Sequence, residues 1–516
     1  MSDGVPAKAK TDYEVGEGGL RANAIGFVSS TVIGVASTAP GYSLAAVLGF
    51  VVAAGAGGAT VGVHGPAIMI VAFIPMLFIA ASYYYMNRAD PDCGTTFTWV
   101  TKALGPRTGW LSGWAIIVAD IVVMANLAQI AGLYTYYLFG WHDPSTFAVT
   151  ALGVGWIALM TAIVARSIEL SAKTQNFLLG AEIITLAAFA ITALVKVYTT
   201  DVAGSIKPQL DWFNPFAIEN LGTLSAGVLI AVFIYWGWDS TVTVNEETED
   251  SSRTPGLAAV TATILLVAIY VLVTVAAQAY GGIDQLIENS DDVLSALGTE
   301  VFGEPLDKIL IIAVLTSAAA STQTTILPTA RTSLSMARVK ALPKRYGDIH
   351  PRYLTPWFST VMMGALSIAW YVGLTLVSEN ILYDAIAALG LMIAFYYGLT
   401  GFACVAYYRH ELFKSFKNFF FIGVCPMIGA LTLTYVLVQS LIDFWDPANS
   451  ESGDSWFGVG PPLVIGVGFM ILGAILMVAW QLKYPDFFKR KTEIADPRVL
   501  TGEIKAEASI ASESEV

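Results

Sequence analysis

The sequence predicts an all-α, polytopic membrane protein, and its composition, the length of its apolar segments and its charge asymmetry all indicate this class. Of the 516 residues, 55% are hydrophobic and 13% are charged, and the mean hydropathy is +0.64. Such a composition is typical of chains that cross a bilayer repeatedly. A membrane-spanning helix needs about 20 mostly apolar residues, and by that rule the sequence contains twelve spans. They are residues 25–57, 66–86, 109–139, 145–166, 174–198, 224–248, 256–280, 306–336, 354–377, 382–408, 418–443 and 460–482.

The distribution of Lys and Arg predicts the orientation of these spans. With the N-terminus inside, 24 of the 27 basic residues fall on the cytoplasmic side, and the other three are Lys196, Lys207 and Lys308. An excess of positive charge marks cytoplasmic loops, so we expect both termini in the cytoplasm and the protein in the cell membrane. The polar residues 1–22 contain no cleavable signal peptide. Because residues 1–22 and 487–516 are polar and low in aromatic residues, we expect flexible tails.

Two of the predicted spans contain a break. Span 1 is interrupted at residues 37–41 by Pro40, which has no N–H, and span 6 at residues 235–239 by the permissive Gly237. Lipid cannot satisfy free backbone groups, so such breaks persist only where protein or a watery cavity lines them. Matched breaks in two halves of a chain indicate the substrate site of a secondary transporter. The alternative is a pair of ordinary kinks, since Gly and Pro are common in membrane helices.

The positions of the breaks also predict an internal repeat. Spans 1 and 6 cross the membrane in opposite directions, so spans 1–5 and 6–10 form an inverted repeat. Twelve spans also suit a six-plus-six plan, but breaks in spans 1 and 6, rather than 1 and 7, favour five plus five. The predicted organisation is a tail at 1–22, repeat 1 at 23–200, repeat 2 at 201–410, spans 11 and 12 at 411–486, and a tail at 487–516.

Three stretches resemble a known family. The run FIYWGWDSTVTVNEET at 233–248 resembles the sixth helix of the amino acid–polyamine–organocation (APC) superfamily, and 329–338 with the loop to Trp357 is similar to its eighth helix and following loop. Residues 91–114 resemble its third helix and the loop before it. The resemblance implies discontinuous helices 1 and 6, the five-plus-five (LeuT-type) fold, and amino acid or amine transport by alternating access. Residues 33–41 depart from the family by carrying hydroxyls where glycines are usual.

The breaks supply candidate substrate contacts. The half-helix that begins near Gly41 is expected to present unpaired N–H groups, which suit a carboxylate. Unwound carbonyls near Trp236 would accept hydrogen bonds from an ammonium group, and aromatic rings could cover it. Asp239 could meet an amino group or cap the half-helix that follows, and the hydroxyls of the first break could instead bond back to their own helix. The candidate residues are Ser37, Thr38, Ala39, Gly41, Tyr235, Trp236, Gly237, Trp238 and Asp239.

Ionisable residues within spans are costly and therefore candidates for coupling. By the resemblance, Glu182 falls where proton-coupled members have a lysine, so it could carry a proton itself or help to hold a cation; a satisfied polar group is the alternative. The coupling or ion-site candidates are Glu182, Asp120, Ser317, Ser321 and Thr322. The candidates for a cytoplasmic gate are Glu246, Glu247 and Arg331, which solvated helix ends would explain equally.

Several classes of function are excluded or left as alternatives. The chain lacks a phosphate-binding G-x-x-x-x-G-K-[ST] motif, shows no metal-ligand spacing and is not expected to be an enzyme. A net charge of −13 offers no nucleic-acid patch. We expect a proton-coupled amino acid symporter in the lipid bilayer, without a cofactor and with Na⁺ as the other possible coupling ion. Alternatives are an amino acid or amine exchanger, a polyamine or organic amine permease, a sodium-coupled symporter, a channel and an amino acid sensor. Oligomeric state stays open.

Overall fold

The computed structural model describes residues 14–501, apart from 17, 57, 142, 291, 378–380 and 451. In that part of the chain almost all regular structure is helical, and the one sheet is a two-stranded hairpin of β1 (Gly55–Ala56) and β2 (Ala59–Thr60). The α-helices are α1 Phe27–Ser37, α2 Pro40–Ala53, α3 Gly65–Ala89, α4 Thr96–Leu104, α5 Pro106–Leu138, α6 Thr146–Arg166, α7 Ile168–Thr199, α8 Leu221–Ile234, α9 Ser240–Thr243, α10 Thr254–Glu288, α11 Val293–Phe302, α12 Lys308–Arg338, α13 Trp357–Val377, α14 Ile381–Tyr407, α15 Phe416–Asn418, α16 Cys425–Asp443, α17 Pro461–Lys483 and α18 Pro497–Thr501. Short 3₁₀ helices lie at Gly62–His64, Leu210–Phe213, Pro215–Ala217, Asn245–Glu247, Lys344–Gly347, Leu412–Lys414, Pro447–Asn449 and Phe487–Lys489, and a π-helical segment at Phe419–Val424 joins α15 to α16.

The twelve predicted spans are present in the described residues. Eleven are long and apolar enough to cross a bilayer, and the first of them combines α1 and α2 across a break, Phe27–Ala53. The twelfth is the discontinuous span 6, in which the 14-residue α8 is followed by the short α9. Spans 2–5 are α3, α5, α6 and α7; spans 7–12 are α10, α12, α13, α14, α15–α16 and α17. The sequence prediction of a twelve-span helical protein with discontinuous helices 1 and 6 is therefore confirmed.

The backbone of each break follows from one or two residues. In span 1, Ala39 is left-handed (φ 48°), and Pro40 starts α2, where its missing N–H costs nothing. In span 6, Gly237 has φ 117°, a conformation that L side chains rarely adopt. A Cβ atom at Gly237 would also lie 2.8 Å from the carbonyl oxygen of Ser37. Glycine is therefore required there both by the backbone angle and by the approach of span 1.

The centre of the bundle is formed by α1, α2, α5 and α12, which are buried along most of their length. Helix α12 carries many hydroxyl and amide side chains, and these are buried between spans rather than exposed. This arrangement fits the rule that polar groups within a membrane face the bundle interior. Large apolar side chains of α6, α7, α13 and α17 are exposed around the outside, as a lipid-facing surface requires.

Two helices and parts of both predicted tails differ from the sequence predictions. Helix α4 precedes span 3, and α11 lies in the loop between spans 7 and 8, where no helix was expected. Within the predicted tails, some residues pack on the bundle: Leu20 is buried, and the Gly18 carbonyl accepts a 2.7 Å hydrogen bond from Arg338. Phe487 and Phe488 in the second predicted tail are also buried. The remaining tail residues, 1–13 and 502–516, lie outside the described part of the chain.

Candidate functional site

The two breaks lie directly against each other at the centre of the bundle. The hydroxyls of Ser37 in span 1 and Ser240 in span 6 are 2.8 Å apart, and Gly237 approaches the Ser37 carbonyl. All nine residues predicted as substrate contacts are buried, so the structure is closed around this point. The structure thus brings the two sequence-predicted breaks into one candidate site.

The start of α2 differs from the sequence prediction in one important way. We expected unpaired N–H groups near Gly41, but Gly41 N–H donates to Glu182 Oε1 at 2.7 Å. The next N–H, of Tyr42, donates to Ser317 Oγ at 3.2 Å. The expectation was wrong because it considered span 1 alone, whereas the side chains that satisfy these groups come from spans 5 and 8.

The hydroxyls near the first break are also engaged within the protein. Thr38 Oγ1 donates to Val35 O at 2.7 Å, which is the back-bonding that the sequence left as an alternative. Ser321 on α12 donates to the carbonyl of Ser37 at 2.9 Å. Thr322, the neighbouring coupling candidate, bonds back to Ala318 O at 2.7 Å instead. Ser317 and Ser321 therefore brace the break from α12, and Thr322 does not reach it.

The second break carries an aromatic cluster, which we define as Tyr83, Trp236, Trp238, Tyr396 and Tyr397. The Trp238 ring lies 5.0 Å from Tyr83 and 5.3 Å from Tyr397 between centroids, and Tyr396 and Tyr397 are 4.8 Å apart. Trp236 Nε1–H donates to the Tyr396 hydroxyl. These five rings enclose the start of α9 with surfaces suited to a cation.

Tyr235, the remaining aromatic candidate, points elsewhere. Its hydroxyl donates to Met69 O at 2.9 Å, and its ring packs on Phe73 and Tyr270. The side chain therefore joins span 6 to span 2 rather than the aromatic cluster.

The carboxylate of Asp239 lies against the tyrosines of the aromatic cluster. Its Oδ1 accepts a 2.8 Å hydrogen bond from Tyr397, and its Oδ2 lies 3.4 Å and 3.5 Å from the hydroxyls of Tyr396 and Tyr83. The side chain makes no capping hydrogen bond to α9. Of the two roles that the sequence allowed, capping is thus not adopted, and the carboxylate faces a group of tyrosines.

Three carboxylates are buried in the centre without a basic partner. Asp120 accepts a 2.6 Å hydrogen bond from Thr329, and Glu182 and Asp239 have the partners described above. Within the described residues, none of the three forms an ion pair with Lys, Arg or His. Buried charge without a counter-charge is unfavourable, so protons or a bound cation are the groups that could neutralise this region.

The predicted gate residues lie at the face of the bundle where α1 begins, which we call the inner face and which the sequence predicts to be cytoplasmic. Arg331 Nε and Nη2 donate to the two carboxylate oxygens of Glu247 at 2.8 and 3.0 Å, and both side chains are fully buried. Arg338 Nη1 and Nη2 likewise donate to the two carboxylate oxygens of Glu246, at 2.8 and 3.0 Å. Two ion pairs therefore join span 6 to span 8 at this face.

The N-terminal segment adds to this closure. The N–H groups of Ala24 and Ile25 donate to Glu247 O at 2.8 and 3.1 Å, and Glu249 N–H donates to Ile25 O at 2.9 Å. These bonds tie the beginning of span 1 to the end of span 6 at the closed inner face.

Asp92 and Cys93 also lie at the inner face, outside the spans. With Glu246 they are close enough to hold a metal ion, but Arg338 already occupies the cluster with its ion pair. Burial, together with Glu246 and Asp90 nearby, raises the pKa of Asp92 to about 6. Within this cluster the Glu246 carboxylate is thus already paired with the charge of Arg338.

Sequence reasoning missed Tyr83, Tyr396, Tyr397, Arg338 and Asp92. The signal for the tyrosines was their position within predicted spans, where a phenolic hydroxyl needs a partner. Arg338 stood in the motif of span 8, but its pairing with Glu246 depends on how spans 6 and 8 pack.

Comparisons with known proteins agree with this architecture. Residues 23–471 match the family described as amino acid permease. The low-affinity putrescine importer PlaP of Escherichia coli (strain K12) is 24% identical over 371 residues, 72% of this chain and 79% of that protein. The human Asc-type amino acid transporter 1 is 24% identical over 426 residues, 80% of this chain and 74% of that protein. The Bacillus subtilis methylthioribose transporter is 22% identical over 386 residues, 71% and 79% of the two chains.

The matches, the twelve spans and the paired breaks all indicate the same family of membrane transporters. The family comprises membrane permeases rather than enzymes, and its named relatives carry amino acids, amines and other small organic substrates. The chain belongs to the amino acid permease family of the APC superfamily and is a multi-pass membrane transporter of amino acids or amines.

Proposed function

We propose that this protein is a proton-coupled secondary transporter that binds a small ammonium-bearing substrate at the paired breaks and moves it across the cell membrane by alternating access. The observation that carries the proposal is the buried Asp239 carboxylate, which has tyrosine hydroxyls and aromatic faces around it but no basic partner among the described residues. A protonated amine supplies the missing positive charge. The names of the relatives, an importer of putrescine and an amino acid transporter, support a substrate with an amino group.

Recognition of the amine would use two kinds of interaction. The Asp239 carboxylate would form a charge-assisted hydrogen bond with the ammonium group, which is stronger than one between neutral groups. Trp236, Trp238 and Tyr397 would contribute cation–π attraction, worth about 2 kcal/mol or more at a desolvated site. A buried ammonium thus exchanges its water shell for a charge and several ring faces.

Alternating access would use the ion pairs of the inner face. The Glu247–Arg331 and Glu246–Arg338 pairs hold spans 6 and 8 together when that face is closed. In this proposal, release towards the cytoplasm separates both pairs, so that span 6 can part from span 8. Water that enters at that moment hydrates the separated charges and offsets part of the cost.

Proton coupling would use Glu182. Its Oε1 accepts from Gly41 N–H, whereas its Oε2 is buried and has no hydrogen-bond partner among the described residues, so a proton can reside there. Moving one positive charge inward yields about 2.3 kcal/mol per 100 mV. That energy supports roughly fifty-fold accumulation of a substrate, since 1.4 kcal/mol corresponds to a factor of ten.

The test is uptake by proteoliposomes under imposed gradients. We expect saturable uptake of a labelled amine or amino acid, stimulated by an acid exterior and unaffected by a sodium gradient. Glu182→Gln should lose the response to pH and keep exchange of internal for external substrate. Uptake that requires sodium would contradict proton coupling. Exchange indifferent to both gradients would indicate an exchanger, and binding without flux would indicate a sensor.

A further inference from the structure

The first turn of α2 has only two N–H groups that its own helix leaves free. Pro40 has none, and Ser43 N–H already donates to Ala39 O at 2.8 Å. The remaining two belong to Gly41 and Tyr42, and they donate to Glu182 Oε1 and Ser317 Oγ. The positive end of this 14-residue helix, where an anion would be held, is therefore filled by groups of the protein itself.

Glu182 is held at the start of α2 by burial and by a direct hydrogen bond. Its side chain is fully buried on α7, 141 residues away along the chain, and Oε1 lies 2.7 Å from the Gly41 nitrogen. Because Oε1 is in direct hydrogen-bond contact with the Gly41 N–H, a second carboxylate cannot lie between the two groups. The other oxygen, Oε2, is buried and unpartnered within the described residues.

We propose that Glu182 is a specificity-determining residue, whose carboxyl group occupies the place of a substrate carboxylate and restricts this transporter to amines without an α-carboxylate. The inference rests on the proposed function and names the substrate class for that site. A substrate carboxylate would have to displace Glu182 from α2 or lie beside it. No basic side chain forms an ion pair with Glu182 in the described structure, so no positive charge would offset the repulsion between two neighbouring carboxylates. An amine needs only the ammonium site at Asp239.

The restriction does not depend on whether Glu182 carries a proton. A carboxylate and a protonated carboxyl group both retain an oxygen that accepts from Gly41 N–H. Occupation of the α2 terminus and proton coupling are consequently separable properties of one side chain. Glu182→Gln keeps an accepting oxygen but cannot titrate, whereas Glu182→Ala removes the acceptor and leaves space.

The experiment measures binding of probes that differ only in the α-carboxylate. The pairs are putrescine with ornithine and 2-phenylethylamine with phenylalanine, titrated calorimetrically into purified parent, Glu182→Gln and Glu182→Ala proteins. In the parent we expect every amine that binds to do so at least 10-fold more tightly than its amino acid. Glu182→Gln should keep that ratio. Glu182→Ala should reduce it at least 10-fold, because the carboxylate of the amino acid gains the Gly41 N–H that Glu182 occupies in the parent.

The possible outcomes distinguish a failure of this inference from a failure of the proposed function on which it rests. A parent that binds either amino acid as tightly as its amine would overturn the inference and leave the ammonium site standing. An unchanged ratio in folded Glu182→Ala would also overturn it. Failure of all four probes to bind the parent would contradict the proposed function, and the inference with it. If Glu182→Ala is unstable, Glu182→Ser takes its place, because its short side chain also leaves the Gly41 N–H without the carboxyl acceptor.

Discussion

Removal of one charge from the buried ion pair of the inner face should open that face. Arg331 and Glu247 are both fully buried, and the remaining guanidinium nitrogen, Arg331 Nη1, has no hydrogen-bond partner in the described residues. Glu247→Gln would leave the guanidinium without a counter-charge, and breaking a buried pair costs about 3–5 kcal/mol. Since 1.4 kcal/mol is a factor of ten, the population of a state in which water reaches Arg331 should rise at least about 100-fold.

A native cysteine reports this opening. Cys93 is buried, and its Sγ lies 3.5 Å from the carbonyl oxygen of Arg331. With Cys404 and Cys425 replaced by serine, the rate at which N-ethylmaleimide alkylates Cys93 should follow the population of the open inner face. Glu247→Gln should raise that rate by the factor given above.

Two further variants make the result specific. Glu249→Gln, two residues along and exposed, should label like the parent. Glu247→Gln/Arg331→Gln, which removes both charges, should label more slowly than Glu247→Gln alone because no isolated charge is left. Parent-like labelling in a folded Glu247→Gln protein would refute the role of this ion pair in closure.

Two other perturbations test the breaks and the inner face. Gly237→Leu should abolish uptake, because its backbone is left-handed and its Cβ would meet Ser37, whereas Gly155→Leu, with open space around it, should transport normally; transport by both would place the substrate elsewhere. Asp92 has a pKa of 3.8 in the unfolded chain and about 6 in the folded one, so between these values the folded state binds more protons. The free energy of unfolding should therefore fall as the pH rises from about 4 through 6. In Asp92→Asn the melting temperature of purified protein should fall less over pH 4.5–7.5, and parallel curves for the two proteins would contradict this.

The sequence predicted those features that depend on local chemistry. The length of the apolar segments predicted the spans. Pro40 and Gly237 predicted the breaks to within a few residues, because a missing N–H and a positive φ are properties of single residues. The pairing of Glu247 with Arg331, a charged residue at the end of each of two spans, was one of two interpretations left open.

Contacts between remote segments could not be predicted in the same way. The tyrosines around Asp239 come from α3 and α14, 156 to 158 residues away in sequence, and no periodicity brings them together. Nor does the pattern of α7 show that Glu182 reaches the start of α2. The sequence of span 1 predicts free N–H groups at the start of α2, but it does not reveal which side chains of other spans bond to them. The assignment of the substrate contacts themselves stays a prediction.

The ammonium site is tested most directly by the affinity of an amine for Asp239→Asn. Asparagine preserves the shape of the side chain and the hydrogen bond from Tyr397 but removes the charge that would hold the ammonium group. With putrescine as ligand, we expect at least about a 10-fold rise in Kd, since hydrogen bonds to charged groups contribute about 1.5–3 kcal/mol. Asp384→Asn, at another buried carboxylate, should bind like the parent. An unchanged Kd in Asp239→Asn would contradict the placement of the substrate at the paired breaks.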